Sequence, residues 1–66
     1  MTFKENLLRL RTEKGLTQPN VAEGTGLSLR AYQNYERGLI EPQLSALIAL
    51  ADFYEISLDE LVCRER

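Results

Sequence analysis

The sequence predicts an all-α fold with a single small core. Apolar residues recur at helical spacing in successive segments, and most of these segments begin with a helix-capping residue and end at or near a glycine. No segment shows the sustained apolar-polar alternation of a β-strand. A chain of 66 residues buries only about 60% of the surface that it exposes when unfolded, so it has room for one core. We therefore expect one domain, residues 1–66, built as a compact bundle of five helices.

The first predicted helix begins at Thr2 and Glu5, which form a capping box: each side chain can bond to a backbone N–H at the helix start. Gly15 can adopt the left-handed conformation that ends a helix. Between them, apolar side chains recur at helical spacing at Phe3, Leu7, Leu8 and Leu10. This pattern predicts a helix with one buried face.

Two short helices follow, with a tight turn between them. Thr17 can cap helix 2, which we expect to end at Gly24 and Gly26. Ser28 can cap helix 3, and Gly38 can end it. Only three to four residues separate the two helices, as a helix-turn-helix requires.

The last two predicted helices complete the core. Pro42 is preset for the first turn of helix 4, and Ser57 with Glu60 forms a capping box for a short helix 5. We expect Leu39 and Ile40, in the loop before helix 4, to pack onto the core; the alternative is an apolar patch for a partner. Helix 4 carries apolar residues around more than one stripe, at Leu44, Leu47, Ile48, Leu50, Ala51 and Tyr54. This distribution predicts a helix that is buried on two sides.

Composition argues against several classes of function. Cys63 is the only cysteine and histidine is absent, so an internal disulfide or a Cys/His zinc site is not expected. Neither a phosphate-binding glycine loop nor a paired-carboxylate motif is present. The sequence has no apolar run near the roughly 20 residues of a membrane span and no signal-peptide pattern. We expect a cytoplasmic protein that is not an enzyme and needs no cofactor, metal or small-molecule ligand.

The charges are distributed unevenly. The net charge of -2 argues weakly against nucleic acid. Residues 1–40, however, hold six basic and four acidic side chains, a balance of +2. Residues 41–66 hold two basic and six acidic side chains, a balance of -4. The half that contains helices 2 and 3 is therefore the half suited to approach phosphate.

The spacing of residues within helices 2 and 3 carries a family resemblance. Counted from Gln18, the positions that build the unit are Val21, Ala22, Gly26, Leu27, Tyr32 and Tyr35. A small residue lets the helices cross closely, a glycine permits the turn, and the larger side chains face inward. This order resembles the helix-turn-helix of the Cro/C1-type family, also called the XRE family. The resemblance covers nearly the whole chain and implies a lambda-repressor-like bundle with its helix-turn-helix at about residues 18–37.

The resemblance implies a DNA-reading role for helix 3, which lies in the major groove in that family. The base-contacting positions correspond to Ser28, Leu29, Arg30, Gln33 and Asn34. Gln18 and Arg37 match phosphate-contacting positions, and Arg11 with Glu36 matches a structural ion pair. The residue chemistry agrees in part, because arginine pairs with guanine and Gln or Asn with adenine. The alternative is a solvated polar face, while Tyr32 and Tyr35 fit the core better than a base-stacking role.

The expected working state is a homodimer, since one recognition helix covers too few base pairs for a selective site. We place its interface within residues 54–63, at Tyr54, Ile56, Leu61 and Val62. The resemblance thus implies a sequence-specific transcriptional regulator, a repressor of prokaryotic or phage origin, that binds double-stranded DNA at a palindromic operator. The alternative is a protein-binding module, such as an antitoxin-like partner, which the acidic second half and Leu39 with Ile40 favour.

Overall fold

The computed structural model describes residues 1–63, which contain five α-helices and no β-strand. The helices are α1 (Phe3–Glu13), α2 (Gln18–Thr25), α3 (Leu29–Arg37), α4 (Leu44–Tyr54) and α5 (Leu58–Leu61). The predicted fold class and the number and order of the helices are confirmed. Helix α2 packs on α3 and α4, α4 packs on α2 and α5, and α1 packs on α3 and α5.

Side-chain caps define where most helices begin. The backbone N–H of Glu5 donates to Thr2 Oγ1 over 3.3 Å, and Glu5 Oε1 accepts from the N–H of Thr2 over 2.9 Å. Thr17 and Asn20 form a second capping box that the sequence analysis did not predict. The predicted caps of α3 and α5 are present at Ser28 and Ser57. Each such cap stabilises its helix by about 1 kcal/mol, which matters in helices this short.

The core lies where the five helices meet. Its side chains are largely or wholly inaccessible to solvent. They belong to Leu7, Leu10, Val21, Ala22, Tyr32, Tyr35, Ala46, Leu50, Ala51, Tyr54 and Leu61. Every residue predicted to build the helix-turn-helix unit either lies in this core, packs against it or forms the turn.

A buried amide joins the first helix to the last. Asn6 is 1% exposed, and its Nδ2 donates to the carbonyl oxygens of Glu60 over 3.0 Å and Leu61 over 2.9 Å. Arg9 donates to Asn6 Oδ1 through Nη2 over 2.6 Å. Asn6 therefore supplies partners for carbonyl groups at the end of α5, which that short helix cannot satisfy internally.

The turn between α2 and α3 depends on Gly26. Its φ of 76° is left-handed, a conformation that glycine adopts without steric cost. The N–H groups of Gly26 and of Leu27 both reach the carbonyl oxygen of Ala22, the latter over 3.0 Å. These bonds end α2 and direct the chain into α3, as a left-handed helix cap does.

The prediction that Gly24 helps to end α2 is wrong, because the helix continues through Gly24 to Thr25. A Cβ atom at Gly24 would overlap the ring of Phe53, on α4. The close approach of α4, and not the backbone conformation, therefore explains why residue 24 is a glycine.

Two predictions about α4 are also wrong. Pro42 lies before the helix, whose N-cap is Gln43 in an extended conformation. The helix buries one side only: Leu44 is 64% exposed and Ile48 is 44% exposed, four residues apart on the same face. Among residues 1–63, no other helix covers that face.

The loop between α3 and α4 also leaves apolar side chains in solvent. Leu39 is 69% exposed and Ile40 is 53% exposed, so the expectation that they pack onto the core is not met. Ile40 borders an open, mostly apolar cavity that Phe3, Tyr35 and Leu47 also line. Leu39 and Ile40 are therefore exposed apolar residues, and the alternative that a partner binds them stays a prediction.

Candidate nucleic-acid interface

The last turn of α3 is fixed by an ion pair with α1. Arg11 donates from Nε to Glu36 Oε2 over 2.7 Å and from Nη2 to Glu36 Oε1 over 3.1 Å, a bidentate arrangement. Arg11 Nη1 also donates to the carbonyl oxygen of Leu16 over 3.1 Å. The pair expected from the family resemblance is thus present, and Arg11 joins the end of α1 to the loop that follows it and to the last turn of α3.

This ion pair is shielded from solvent, with side-chain exposures of 17% for Arg11 and 7% for Glu36. Burial alone raises the pKa of Glu36, but the hydrogen bonds and charge of Arg11, together with the polar groups of Tyr32 and Gln18, outweigh it and hold the pKa below its usual value. The same bond to Glu36 raises the pKa of Arg11. Burial chiefly, with the neighbouring carboxylate, raises the pKa of the Tyr32 phenol far above its usual range. The pair is therefore charged and the phenol neutral near pH 7.

A chain of amide hydrogen bonds leads from this pair to the surface of α3. Gln18 Nε2 donates to Glu36 Oε1 over 3.4 Å, and Gln33 Nε2 donates to Gln18 Oε1 over 3.2 Å. These bonds connect the first residue of α2 with the middle of α3. The sequence analysis did not predict the contact between Gln18 and Gln33, because the two residues are 15 positions apart on different helices.

The predicted base-contacting residues lie along α3 with different degrees of exposure. Ser28 and Arg30 are exposed, Leu29 is 40% exposed, and Gln33 and Asn34 are partly exposed. Ser28 Oγ already accepts the N–H of Ala31 over 3.1 Å as the cap of the helix. Whether these residues contact bases stays a prediction.

The two predicted phosphate-contacting residues differ in how strongly the fold holds them. Arg37 is exposed at the last turn of α3, and Gln18 is partly buried. Tyr32 is 0% and Tyr35 is 9% exposed, so both side chains belong to the core. The opposite face of α3 is therefore anchored to the rest of the protein by two buried tyrosines and by the Arg11–Glu36 pair.

The segment proposed for dimerisation divides into buried and partly exposed residues. Tyr54 is 4% exposed and Leu61 is 0% exposed, because both side chains pack inside the core of the single chain. Ile56 and Val62 are partly exposed, and the neighbouring Leu58 is 40% exposed. The side chains that can meet a second chain here are thus Ile56, Leu58 and Val62.

Comparison with known proteins places the chain in a family. A family model described as helix-turn-helix matches residues 7–61. The chain belongs to the Cro/C1-type helix-turn-helix family. This membership agrees with the expectation from the sequence that it is not an enzyme.

Relatives of this helix-turn-helix protein are found in bacteria and their phages. It is 41% identical over 64 residues to the cryptic phage CTXphi transcriptional repressor RstR of Vibrio cholerae, covering 97% of this chain and 57% of RstR. It is 42% identical over 60 residues to YqaE, an uncharacterized HTH-type transcriptional regulator of Bacillus subtilis, covering 91% of this chain and 52% of YqaE. The chain thus spans about half the length of these relatives.

Solved structures show the same fold. The crystal structure of a transcriptional regulator from Listeria innocua superposes with a TM-score of 0.88 at 37% identity, covering 98% of this chain and 61% of that one. The restriction-modification controller protein C.AhdI from Aeromonas hydrophila gives a TM-score of 0.84 at 36% identity, covering 89% of both chains. Within residues 1–63, no helix has both the length and the apolar character to cross a membrane.

Proposed function

We propose that this helix-turn-helix protein is a sequence-specific DNA-binding transcriptional regulator, acting as a repressor, of prokaryotic or phage origin. The observation that carries the proposal is the exposed face of α3, held rigidly from beneath by the Arg11–Glu36 pair. A reading helix must be held in a fixed orientation, since its side chains discriminate base edges only at set distances. The names of RstR and of the other regulators among its relatives support the proposal.

In this proposal α3 enters the major groove with its N-terminal residues on base edges. Arg30 pairs with guanine O6 and N7, while Gln33 and Asn34 suit adenine N6 and N7. Leu29 cannot form a hydrogen bond and contributes apolar contact, for example to a thymine methyl group. Ser28, whose oxygen caps the helix, can still donate its hydroxyl hydrogen to a base or phosphate.

Phosphate contacts fix the position of the helix in the groove. Arg37, exposed at the end of α3, is suited to such a contact. Gln18 Nε2 uses one N–H for Glu36 and retains a second N–H for a phosphate oxygen. Few basic side chains surround α3, so this protein depends more on specific contacts than on nonspecific attraction.

Binding is tested by titrating DNA from upstream of the protein's own gene at several salt concentrations. Arg30→Ala is expected to cost about 1 to 3 kcal/mol and to relax preference at one base position. Arg37→Ala, a matched change on the same helix, should weaken all sequences alike and lower the salt dependence. Absence of any sequence preference at low salt would contradict the proposal.

We further propose that the working state is a homodimer on a palindromic operator, with its interface in residues 54–63. Tyr54 and Leu61 are buried in the core of the single chain, so the contact with a second chain falls to the partly exposed Ile56 and Val62. Sedimentation velocity tests the interface, with circular dichroism of each variant as the check that the fold is intact, since Ile56 also packs against the core. Ile56→Asp should shift the protein towards monomer, whereas Leu39→Asp, an apolar-to-acidic change in a different region, should leave the mass unchanged. A dimer that survives Ile56→Asp places the interface elsewhere.

A protein-binding module of the antitoxin type remains the second candidate function, because one observation favours it. Leu39, Ile40, Leu44 and Ile48 expose apolar side chains from the loop before α4 and the first half of α4. Exposed apolar clusters are typical of protein interaction surfaces. Retention of operator binding after Leu44→Ser with Ile48→Ser would show that DNA recognition does not need this surface.

A further inference from the structure

The inference concerns Lys4 and rests on the proposed function. Lys4 belongs to the first turn of α1, and its side chain reaches across to the end of α3. Its Cδ lies 2.8 Å and its Nζ 3.7 Å from the point where a Cβ atom of residue 38 would stand. Because that residue is Gly38, no side chain of its own occupies this place. The fold thus brings an ammonium group from α1 to the residue that follows α3.

Two positively charged residues therefore lie at the same end of α3. Arg37 is the last residue of the helix and is exposed, and the exposed Lys4 lies beside the next residue, Gly38. The acidic residue before Arg37 is Glu36, which is bound by Arg11 and so does not neutralise them. Positive charges held close together repel each other, and an anion that binds beside both removes this cost. This end of α3 is therefore suited to an anion.

The ammonium group of Lys4 has no acidic partner among residues 1–63. The ion pairs described there are those of Arg9 and of Arg11 with glutamates, and neither involves Lys4. Glu41 borders the same cavity as Lys4, but the two side chains do not form an ion pair. The carboxylate of Glu5 accepts hydrogen bonds as part of the cap of α1. Within the described part of the chain, Lys4 is thus available to an external anion.

We propose that Lys4, together with Arg37, binds the phosphate backbone of the operator at the end of α3. An ammonium group binds phosphate as a point charge and needs no fixed geometry, so a lysine that crosses from another helix can serve. The contact supplies from α1 a positive charge that the loop Leu39-Ile40-Glu41 lacks. The competing role is structural, because a cation near the C-terminal end of a helix stabilises its dipole. Only the phosphate contact changes the salt dependence of DNA binding.

The test measures binding to the operator and to unrelated DNA at several salt concentrations. Lys4→Met keeps an unbranched stem across Gly38 and removes the charge, whereas Lys4→Arg keeps the charge. Arg9→Gln is the control, since it removes one positive charge from α1 at a different place. Arg9 donates to Asn6, whose side chain binds the end of α5. Urea unfolding followed by circular dichroism gives the stability of each variant.

We expect Lys4→Met to weaken binding to all sequences alike and to reduce the slope of log K against log salt by about 0.9, the value of one phosphate contact. Between roughly 50 and 200 mM salt, wild type should then lose about three- to fourfold more affinity than this variant. Lys4→Arg and Arg9→Gln should both keep the wild-type slope. The preference among bases should be the same in all four proteins.

Three outcomes overturn the inference while leaving the proposed function intact. One is an unchanged slope in Lys4→Met, which together with a loss of stability assigns Lys4 to the dipole of α3 alone. Another is an equal reduction of the slope in Lys4→Met and Arg9→Gln, which makes net charge the cause. The third is a change in preference at one base position in Lys4→Met. A wild-type protein without sequence preference at low salt would instead overturn the proposed function.

Discussion

At the scale of single residues, two ion pairs of this protein illustrate how burial changes the role of a charge. Arg9 and Glu13 lie one helical turn apart on α1, with 43% and 58% of their side chains exposed. Arg11 and Glu36 join α1 to α3 and are mostly buried. An exposed pair contributes little to stability, whereas removing one partner of a buried pair leaves an uncompensated charge. The same substitution should therefore have different effects at the two glutamates.

Glu36→Gln should destabilise the fold by about 3 kcal/mol, because it leaves Arg11 without a counterion in a site largely closed to water. Glu13→Gln, the matched change in the exposed pair, should cost less than about 0.5 kcal/mol. Urea unfolding at pH 7 followed by circular dichroism measures both. Equal losses of unfolding free energy in the two variants would mean that the buried Arg11–Glu36 pair contributes no more to stability than the exposed pair.

The lowered pKa of Glu36 also predicts that the free energy of unfolding falls at acid pH. A carboxyl group whose pKa is lower in the folded than in the unfolded chain stabilises the fold above the unfolded value, and this stabilisation is lost as the pH falls. Unfolding midpoints should therefore decline below about pH 4.5, the ordinary value of a glutamate. In Glu36→Gln the decline should be shallower, since the main buried carboxylate is gone. Parallel pH profiles for the two proteins would contradict this assignment.

The residues of this site differ in how far they could be predicted from the sequence. The Arg11–Glu36 pair could be expected because it matches a pair known in the family. The bond between Gln18 and Gln33 could not, since it depends on the crossing of α2 and α3. Asn6 was missed for a related reason: a polar residue on a predicted helix gives no sign that the end of another helix will cover it. Such contacts follow from tertiary packing and not from local pattern.

At the scale of elements, the residues that begin helices can be predicted from the sequence more directly than the faces that become buried. Caps at Thr2, Ser28 and Ser57 are local, because the capping side chain bonds to N–H groups three residues away. The burial of α4 is not local. Its apolar pattern suggested two buried sides, but the neighbours that could cover the face of Leu44 and Ile48 do not exist among residues 1–63.

The contact between α2 and α4 predicts an unusual response at Gly24. Replacing a glycine inside a helix by alanine normally stabilises by up to about 1 kcal/mol. Here the new methyl group would overlap the ring of Phe53, and such overpacking costs about 1 to 3 kcal/mol. Gly24→Ala should therefore be destabilising overall in thermal or urea unfolding.

A double-mutant cycle separates the two contributions. In a Phe53→Leu background the ring is absent, so Gly24→Ala should become neutral or stabilising through its gain in helix propensity. The same loss in both backgrounds would contradict the proposed clash and point to a requirement of the α2 backbone instead.

At the scale of the whole molecule, the uneven charge distribution shapes how the proposed DNA interface works. The basic balance of residues 1–40 includes α2 and α3, and the acidic balance of residues 41–66 begins with Glu41 in the loop after α3. Glu41 borders the same cavity as Gly38, which follows the last residue of α3. An acidic side chain beside a DNA-reading helix repels phosphate and so weakens binding to every sequence.

Glu41→Lys should therefore tighten binding to all DNA sequences and increase its salt dependence, while lowering the ratio of specific to nonspecific affinity. Each new phosphate contact steepens the slope of log K against log salt by about 0.9. Glu55→Lys makes the same charge change at the other end of α4. That helix is about 16 Å long, so its two ends are farther apart than the Debye length of about 8 Å at physiological salt. Binding titrations from 50 to 200 mM salt, roughly the range over which such slopes are resolved, should show the steeper slope for Glu41→Lys only. An equal effect of both changes would mean that net charge, and not the position of Glu41 beside α3, governs affinity.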